Sequence, residues 1–380
     1  MGKFDGYIKI AFCQGIITSI RLSVKTLFSL LRCSLWGNTY TEHISATEFK
    51  RVIALAKEQT VFGLVFDKLK EIQVDGLDDK SSLYEALGYS ERIKQQNKLI
   101  DNELASFSDV CRQEGHDFIV VKGQTVGCLY NNPNLRQSGD IDFLINAEYG
   151  SIKDTISRLM NVTLPDKMQE YEVGFDHHNV RYELHTVLKE FATKSHKNAF
   201  EELTKKEWED KHYVEIAGSK VRTLSPTMNA AYIFIHLFFH FIKEGVSLRQ
   251  FCDWAIVLHH YNAEIDKDKL IRILLELDMF DAYCAFGTIL VDELGLPKKE
   301  FPVSLDDNDR EWKGKILDDI FRGGNFGKLN HNTHSAWKFK LETLRIVLRN
   351  IFRYYTLCPS EIGGMIPRLV GVNLKLLLAK

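Results

Sequence analysis

Features that mark several common classes of protein are missing from this sequence. The seven cysteines are scattered, odd in number and never spaced as Cys-x-x-Cys, which argues against a disulfide framework and against a zinc ribbon. The formal net charge is only −2, so a generally basic surface for binding nucleic acid is excluded. We therefore expect a protein of a reducing, cytoplasmic compartment with no nucleic-acid signature.

Long hydrophobic runs are also scarce. The uncharged stretch Ile10–Ile20 has eleven residues, whereas a membrane-spanning helix needs about 20. A second uncharged stretch, Thr223–Ile242, is interrupted by two histidines and contains Ser225 and Pro226, which are typical of a helix cap and a first helical position. We predict a buried core helix there and no transmembrane segment.

The pattern of apolar residues changes twice along the chain. Residues from about 19 to 115 have the helical period, and Gly115 is expected to end the last helix of that region. Three strand-like runs follow, Phe118–Val121, Asp140–Ile145 and Val180–Leu188, with a helical segment at Ile152–Met160. The sequence therefore predicts an α+β fold, in which a small mixed β-sheet is flanked by N-terminal and C-terminal helical regions.

The region after Arg222 returns to the helical period. Apolar faces predict helices over Ser225–Lys243, Leu248–His260, Lys267–Leu277 and Tyr283–Leu294, and a further helix near Trp337–Tyr355. The length of 380 residues suits two or three packed units. We divide the chain into an N-terminal helical region, an α/β core, a second helical domain and a C-terminal helical extension, at residues 1–95, 96–222, 223–300 and 301–380.

Acidic residues mark two of the predicted strands. Asp140 and Asp142 project from the same face of one strand, about 7 Å apart, and Glu183 and His185 share a face of the next. Carboxylates on one face repel one another unless a cation lies between them, and Mg²⁺ is usually held by one or two carboxylates together with substrate phosphates. The alternative, a solvated acidic turn at a strand start, stays open for the Asp-Ile-Asp pair taken alone.

Upstream of this pair, Gly123 lies where the first strand is expected to turn into a helix over Gln124–Tyr130. A glycine at such a point allows a phosphate to approach the free N–H groups of a helix N-terminus. Lys122 and Arg136 add positive charge on either side. The sequence therefore predicts a phosphate-binding turn near the paired aspartates.

These stretches together resemble a known family. The pattern KGxxxxxLY…P…R…GDIDFLI followed by HH…YELH is similar to the uncharacterised nucleotidyltransferase family of the DNA polymerase β-type superfamily, over roughly residues 20–260. The resemblance implies a nucleotidyltransferase core in which Asp140, Asp142 and Glu183 are the catalytic, metal-binding carboxylates. The residues that it implies for the nucleotide phosphates are Lys122, Gly123, Gln124, Arg136 and Gly139. Gln124 departs from the superfamily, where a small residue follows the glycine.

The resemblance also implies the reaction. A nucleoside monophosphate is transferred from an NTP, with Mg²⁺ or Mn²⁺ as cofactor, to a hydroxyl acceptor that the sequence does not identify: a small molecule, a sugar or a protein. The alternative is a catalytically silent nucleotide- or partner-binding protein on the same fold, although such a protein has no need of three convergent carboxylates. A metal-dependent phosphohydrolase using the histidines is disfavoured by their spacing.

Four further residues are candidates for the cleft. Arg249 and Asp253 are one helical turn apart and can form an ion pair; we expect Arg249 to face phosphate and Asp253 to face the metal site or the acceptor, with simple helix support as the alternative. His178 is interpreted as either an active-site or a loop-packing residue. His185 is interpreted as either orienting a metal ligand or being a partly buried strand histidine.

Two other groups of residues have competing interpretations. His236 and His240 are spaced to bind zinc, but polar positions on a packed helix are the favoured interpretation. Arg345, Arg349 and Arg353 form a basic stripe at four-residue spacing. A solvated helix face explains the stripe, and peripheral contact with an anionic partner or membrane surface is its alternative.

Overall fold

The computed structural model describes residues 22–72, 74–76, 80–168, 171–324 and 336–367. Its N-terminal part is helical, and the stretch Ile10–Ile20 lies outside the described residues. Gly37 (φ +72°) and Gly115 (φ +76°) follow the first and last helices of this part in the left-handed conformation that ends helices. The elements are α1 (22–36), β1 (Ile44–Ser45), α2 (Ala46–Glu58), α3 (Phe62–Leu69), β2 (Val74–Asp75) and α4 (Ser81–Gln113).

A four-stranded sheet follows, and it confirms the α+β prediction. Its elements are β3 (Phe118–Val121), α5 (Gly123–Gly127), β4 (Asp140–Ile145), α6 (Tyr149–Met160), β5 (Glu172–His177) and β6 (Val180–His185). The strand order is β3-β4-β6-β5, with β4 and β6 parallel and the other neighbours antiparallel. The sequence did not predict β5, and the predicted helix over Gln124–Tyr130 is only the short α5.

The two faces of this sheet have different surroundings. Alternate residues such as Phe143 and Tyr182 pack with α4 and α6 in one apolar core. The intervening residues, such as Leu144, pack with the helices in a second core, and this face also carries Asp142 and Glu183. Because side chains alternate along a strand, the apolar core and the carboxylates are assigned to opposite faces by residue parity.

Helices dominate the rest of the chain. After a hairpin, α8 begins with Ser225 as its N-cap and Pro226 as its first residue, as predicted, and most of its side chains are buried. The elements are α7 (Lys194–Glu209), β7 (His212–Ile216), β8 (Ser219–Thr223), α8 (Pro226–Lys243), α9 (Leu248–His260), α10 (Lys267–Glu276), α11 (Phe280–Thr288), α12 (Asp307–Glu311), α13 (Lys313–Gly323), α14 (Ala336–Tyr354) and α15 (359–367). Among the described helices, none has both the length and the apolar character that crossing a membrane requires.

The basic stripe lies on α14 and is partly neutralised. Arg349 and Arg353 each lie 3.5 Å from a carboxylate oxygen of Asp319 on α13, whereas Arg345 is exposed. The same Asp319 accepts a hydrogen bond from the Tyr354 hydroxyl, at 2.7 Å. Two of the three arginines therefore contribute to helix packing.

Candidate active site

A cavity of about 620 Å³ opens between the carboxylate face of the sheet, α8 and α9. Most residues that the sequence singled out line it, while Gln124 and His178 are not among the lining residues. Those that line it are Lys122, Gly123, Arg136, Gly139, Asp140, Asp142, Glu183, His185, Arg249 and Asp253.

The carboxylates are brought together by strand register. Asp142 on β4 lies directly beside Glu183 on β6, because the two strands pair in parallel. Ligand atoms of Asp142, Glu183 and His185 lie within 4.8 Å of one another. Asp140 lines the same cavity two residues earlier on β4, outside this closest group. His185 Nε2 lies 3.0 Å from Asp142 Oδ1, a contact that fixes the orientation of the carboxylate.

The surroundings of Asp142 and Glu183 shift the pKa values of the two carboxylates in opposite directions. Burial and the neighbouring charges of Asp142 and Asp140 raise the pKa of Glu183 to about 7. Burial alone would also raise the pKa of Asp142, but the Lys122 ammonium and the His185 imidazole lower it below its ordinary value. Asp142 is therefore ionised at neutral pH, whereas Glu183 is close to its midpoint.

The ammonium of Lys122 occupies the centre of this charge arrangement. Lys122 has φ +58° and ψ −149°, and Gly123 has φ +48°. These two residues turn β3 sharply into α5, and a Cβ at Gly123 would lie 3.2 Å from the Asp140 carbonyl oxygen. The turn directs Lys122 Nζ to 3.0 Å from Asp142 Oδ1 and 3.3 Å from His236 Nε2. Lys122, expected to contact phosphate, is thus paired with a carboxylate.

His236 is the neutral partner in that contact. Burial, followed by the charge of Lys122, lowers the pKa of His236 well below its ordinary value. Its Nε2 therefore accepts a hydrogen bond from the Lys122 ammonium. One turn later, His240 Nδ1 lies 3.3 Å from Glu244 Oε2. The two histidines are polar residues of a packed helix, as favoured from the sequence.

Arg136 and Asp253 form a buried pair with each other. Arg136 donates from Nε and Nη2 to the two oxygens of Asp253, both at 2.7 Å, and the Tyr130 hydroxyl donates to the same carboxylate at 2.7 Å. Arg136 is 4% exposed and Asp253 7% exposed. The Arg136–Asp253 ion pair holds α9 against the loop that precedes β4. The ion pair with Arg249 that helical spacing allows does not form, because the bidentate fork of Arg136 and the Tyr130 hydroxyl engage the Asp253 carboxylate.

Gln124 also has a structural partner on each side. Its amide nitrogen donates to the Asp101 carboxylate on α4, and its amide oxygen accepts from the Ser138 hydroxyl. The buried side chain thereby ties α4 to the loop that precedes Asp140. Gln124, which replaces the small residue of the superfamily, therefore supports the packing of α4 and does not line the cavity.

Arg249 is left as the cationic side chain of α9 that faces the cavity. Its Nη1 donates to the Gln137 carbonyl oxygen at 2.7 Å, and its buried Nε has no hydrogen-bond partner among the described residues. Burial and the charge of Arg136 lower the pKa of Arg249. Arg249 can therefore present charge toward Asp140 and any phosphate nearby.

His178 lies on the opposite side of the sheet from the carboxylates. It occupies the turn between β5 and β6, where its Nδ1 lies 2.9 Å from Glu103 Oε1 on α4. Of the two interpretations of His178, loop packing describes its position, since it is not among the residues that line the cavity. Strand alternation does not assign a turn residue to either face of the sheet. The packing of α4 against the sheet determines which side the His178 ring contacts.

The sequence interpretation missed a basic part of the cavity. Lys189 follows β6 and Lys243 ends α8, and both line the cavity. Lys189 is nearly buried, with its Nζ 4.8 Å from the centroid of the Phe239 ring. Burial and the charges of Lys243 and Lys122 lower the pKa of Lys189 to about 7. The polar stripe of His236, His240 and Lys243 on an otherwise apolar helix was the signal for this wall, whereas Lys189 had none.

Known proteins that resemble this chain include a solved structure and a family of nucleotidyltransferases. One solved structure, a crystal structure of an antigenic nucleotidyltransferase-like protein from Paracoccidioides brasiliensis, is 13% identical and covers 50% of this chain and 88% of its own, with a TM-score of 0.29. That likeness is too low to carry an argument. No curated protein matches this chain. The model of the family described as "Uncharacterised nucleotidyltransferase" matches residues 45–294. The chain therefore belongs to the uncharacterised nucleotidyltransferase family.

Proposed function

We propose that this cleft transfers a nucleoside monophosphate from an NTP to a hydroxyl acceptor, with a divalent cation as cofactor. The observation that carries the proposal is the side-by-side placement of Asp142 and Glu183, with Asp140 on the same face. Burial, followed by the negative charges of Asp142 and Asp140, raises the pKa of Glu183, so excess negative charge is part of the cause. A bound cation would relieve that excess.

The donor set fits a hard cation. Asp142 and Glu183, with Asp140 alongside, are the residues that would hold Mg²⁺ or Mn²⁺, since carboxylate oxygens are the ligands these ions prefer. When bound, the cation supplies electrostatic stabilisation of the phosphoryl group and of the pyrophosphate that leaves. His185 fixes the orientation of Asp142 for this role, through the contact at Oδ1.

The protein's own residues would position the two substrates. The Gly123 turn, Gly139 and Arg249 line the part of the cavity suited to the triphosphate, while Arg136 and Gln124 hold the scaffold behind it. The acceptor would lie toward Lys189 and the α8 stripe. The acceptor oxygen forms a bond to the α-phosphorus as the bond to the β-phosphate oxygen breaks; pyrophosphate leaves with the electron pair, and a cleft carboxylate takes the hydroxyl proton.

Label transfer tests this proposal. The purified chain is incubated with each NTP and Mg²⁺ or Mn²⁺ in a small-molecule and protein extract of its source. We expect label at the α-phosphate, and none from the γ-phosphate, to appear in an acceptor. Asp142→Asn and Glu183→Gln should abolish the transfer, whereas Asp176→Asn, an exposed carboxylate change on β5, should leave it unchanged. Transfer from the γ-phosphate, or full transfer by Asp142→Asn, contradicts the proposal.

One observation favours the catalytically silent alternative. The Lys122 ammonium already neutralises Asp142, at 3.0 Å. If this pairing replaces a cation permanently, the wild-type chain binds no Mn²⁺ in the cleft, and Lys122→Met creates the binding. If the enzyme proposal holds, wild type binds Mn²⁺ in the presence of NTP. Direct measurement of Mn²⁺ binding to the two proteins separates the two functions.

A further inference from the structure

A second group of metal-ligating side chains lies outside the cleft. Glu103 on α4 presents its two carboxylate oxygens to two adjacent histidines of the β5–β6 turn. Its Oε2 lies 2.9 Å from His177 Nδ1, and its Oε1 lies 2.9 Å from His178 Nδ1. One ligand atom of each residue lies within 4.8 Å of the others. The Tyr182 hydroxyl donates to Glu103 Oε2 at 3.5 Å and holds that carboxylate in place.

This group is separate from the carboxylates of the cleft. His177 shares residue parity with Phe175, on the face of the sheet that packs against α4, whereas Asp142 and Glu183 project from the other face. The Glu103 side chain is 16% exposed and that of His178 is 67% exposed. One side of the group is therefore anchored in the protein, and the other is open to solvent.

The spacing of the ligand atoms in this group is compatible with a shared metal ion. Around a tetrahedral Zn²⁺ with bonds of about 2.0–2.1 Å, neighbouring ligand atoms are about 3.3 Å apart. Each 2.9 Å spacing joins a histidine nitrogen to a different oxygen of Glu103, so the carboxylate can ligate a shared ion through either oxygen once the side chains separate by a few tenths of an ångström. The imidazole rings are 3.8 Å apart between centroids, so the two histidines lie close enough to share one cation.

The chemistry of the donors distinguishes this group from the cleft. Two imidazole nitrogens and one carboxylate oxygen form a set typical of zinc and neighbouring transition metals, whereas a carboxylate-rich set suits Mg²⁺ and Mn²⁺. We propose that Glu103, His177 and His178 form a site for a first-row transition metal cation such as Zn²⁺. The bound ion fastens the β5–β6 hairpin to α4 and leaves the fourth position to water.

Zinc and cobalt binding to the full chain tests the site. The metal-free protein is titrated with Co²⁺, whose visible absorption reports nitrogen ligands and low coordination number. Its Zn²⁺ affinity is measured by competition with a chromophoric chelator in excess Mg²⁺. We expect one equivalent of Zn²⁺ to remain bound in the presence of Mg²⁺. Glu103→Gln and His178→Ala should each weaken it by at least about tenfold, the lower end of the loss seen when even an outer-shell partner is removed.

Two control proteins make the result specific. Asp142→Asn/Glu183→Gln removes the ligands of the cleft and should retain the zinc. His259→Asn/His260→Asn changes another adjacent histidine pair, of which His259 lies 2.7 Å from a Glu300 oxygen, and should also retain it. Circular dichroism of the metal-free variants checks that His178→Ala, an exposed position, keeps the fold. Zinc lost in the cleft variant, unchanged affinity in Glu103→Gln or His178→Ala, or the absence of tight zinc binding overturns the proposal.

Discussion

Asp142 is the residue on which the charges of the cleft converge. The Lys122 ammonium and the His185 imidazole both contact its Oδ1, at 3.0 Å each. Glu183 forms no ion pair with a cation among the described residues, and burial together with the charges of Asp142 and Asp140 raises its pKa. Two carboxylates of similar intrinsic acidity thus differ in protonation, because the Lys122 ammonium and the His185 imidazole contact Asp142 and not Glu183.

This difference predicts a pH dependence of cation binding. The metal-free pKa of Glu183 is about 7, so its carboxylate is mostly protonated at pH 6 and mostly ionised at pH 8. Because a cation needs the ionised form, Mn²⁺ affinity should rise between these pH values with release of a proton. Calorimetry in two buffers of different ionisation enthalpy measures both quantities. Glu183→Gln should remove the dependence, and an equal slope in wild type and Glu183→Gln would contradict the assignment.

Lys189 predicts a second pH dependence, this time of stability. Its pKa is lowered to about 7 in the folded chain, so the folded protein holds its proton less tightly than the unfolded chain does. The destabilisation is complete below about pH 7 and disappears as pH rises toward the ordinary lysine value of about 10.4. Lys189→Met should therefore stabilise the fold at pH 6.5 by on the order of 2 kcal/mol.

Thermal denaturation at pH 6.5 and pH 9.5 measures this effect. The gain from Lys189→Met should be smaller at pH 9.5. Lys50→Met, a change of an exposed lysine on α2 outside the cavity lining, provides the matched control and should show little change at either pH. A loss of stability on Lys189→Met at pH 6.5 would mean that the ammonium has an anionic partner in the folded protein.

For single residues, the sequence predicted that the carboxylates share a face, but it did not predict which carboxylate each arginine pairs with. Strand alternation places Asp140 on the face of Asp142 from sequence spacing alone, and the parallel pairing of β4 with β6 adds Glu183 to that face. Arg249 and Asp253 are also correctly spaced for a pair, yet Asp253 binds Arg136, more than one hundred positions away. Local spacing cannot reveal a bidentate partner that tertiary packing supplies.

Among the elements, the junction of β3 and α5 has the most unusual backbone. Lys122 lies at the border of a region that glycine populates almost alone, and holding a side chain there costs about 1–3 kcal/mol. We predict that Lys122→Gly is more stable than Lys122→Ala by roughly 1–2 kcal/mol, since both remove the ammonium and only glycine relieves the strain. Urea unfolding of the two variants measures the difference, and equal stability would contradict a strained turn.

The same comparison explains which elements the sequence revealed. β3, β4 and α9 were predicted with their observed bounds, because their apolar residues follow one period without interruption. β5 has Glu172, Gly174 and Asp176 on one face, which gives it poor strand character, although its other face is buried. A Cβ at Gly174 would meet the Arg181 guanidinium, the end of a long, partly exposed side chain that would have to move. The hairpin of β7 and β8 was missed for the same shortage of apolar residues.

At the scale of the whole molecule, buried polar pairs join the sheet to the helices. Arg136 precedes β4 and Asp253 lies on α9, so their ion pair crosses between these two parts. Asp253→Ala would leave the Arg136 guanidinium buried without its carboxylate. We predict a loss of about 3–5 kcal/mol in the free energy of unfolding, the range for breaking a buried ion pair from one side.

Chemical denaturation of three variants tests this connection. Asp176→Ala breaks an exposed pair with Arg181 and should cost less than about 1 kcal/mol. Arg249→Ala should depress nucleotide transfer more than stability, because its side chain faces the cavity. A loss on Asp253→Ala as small as that on Asp176→Ala would show that the Arg136 side chain finds water or another acceptor.

The central sheet has its aromatic core on one face and its carboxylates on the other, and this limits which insertions and deletions the gene can tolerate. Inserting or deleting one residue within β6 would exchange the positions of Glu183 and Tyr182, and would place carboxylates in the aromatic core and a phenol in the cleft. Length changes of two residues preserve the alternation. Viable insertions and deletions in this strand are therefore restricted to even numbers of residues. A change of length that preserves the carboxylates of the cleft also preserves the aromatic core.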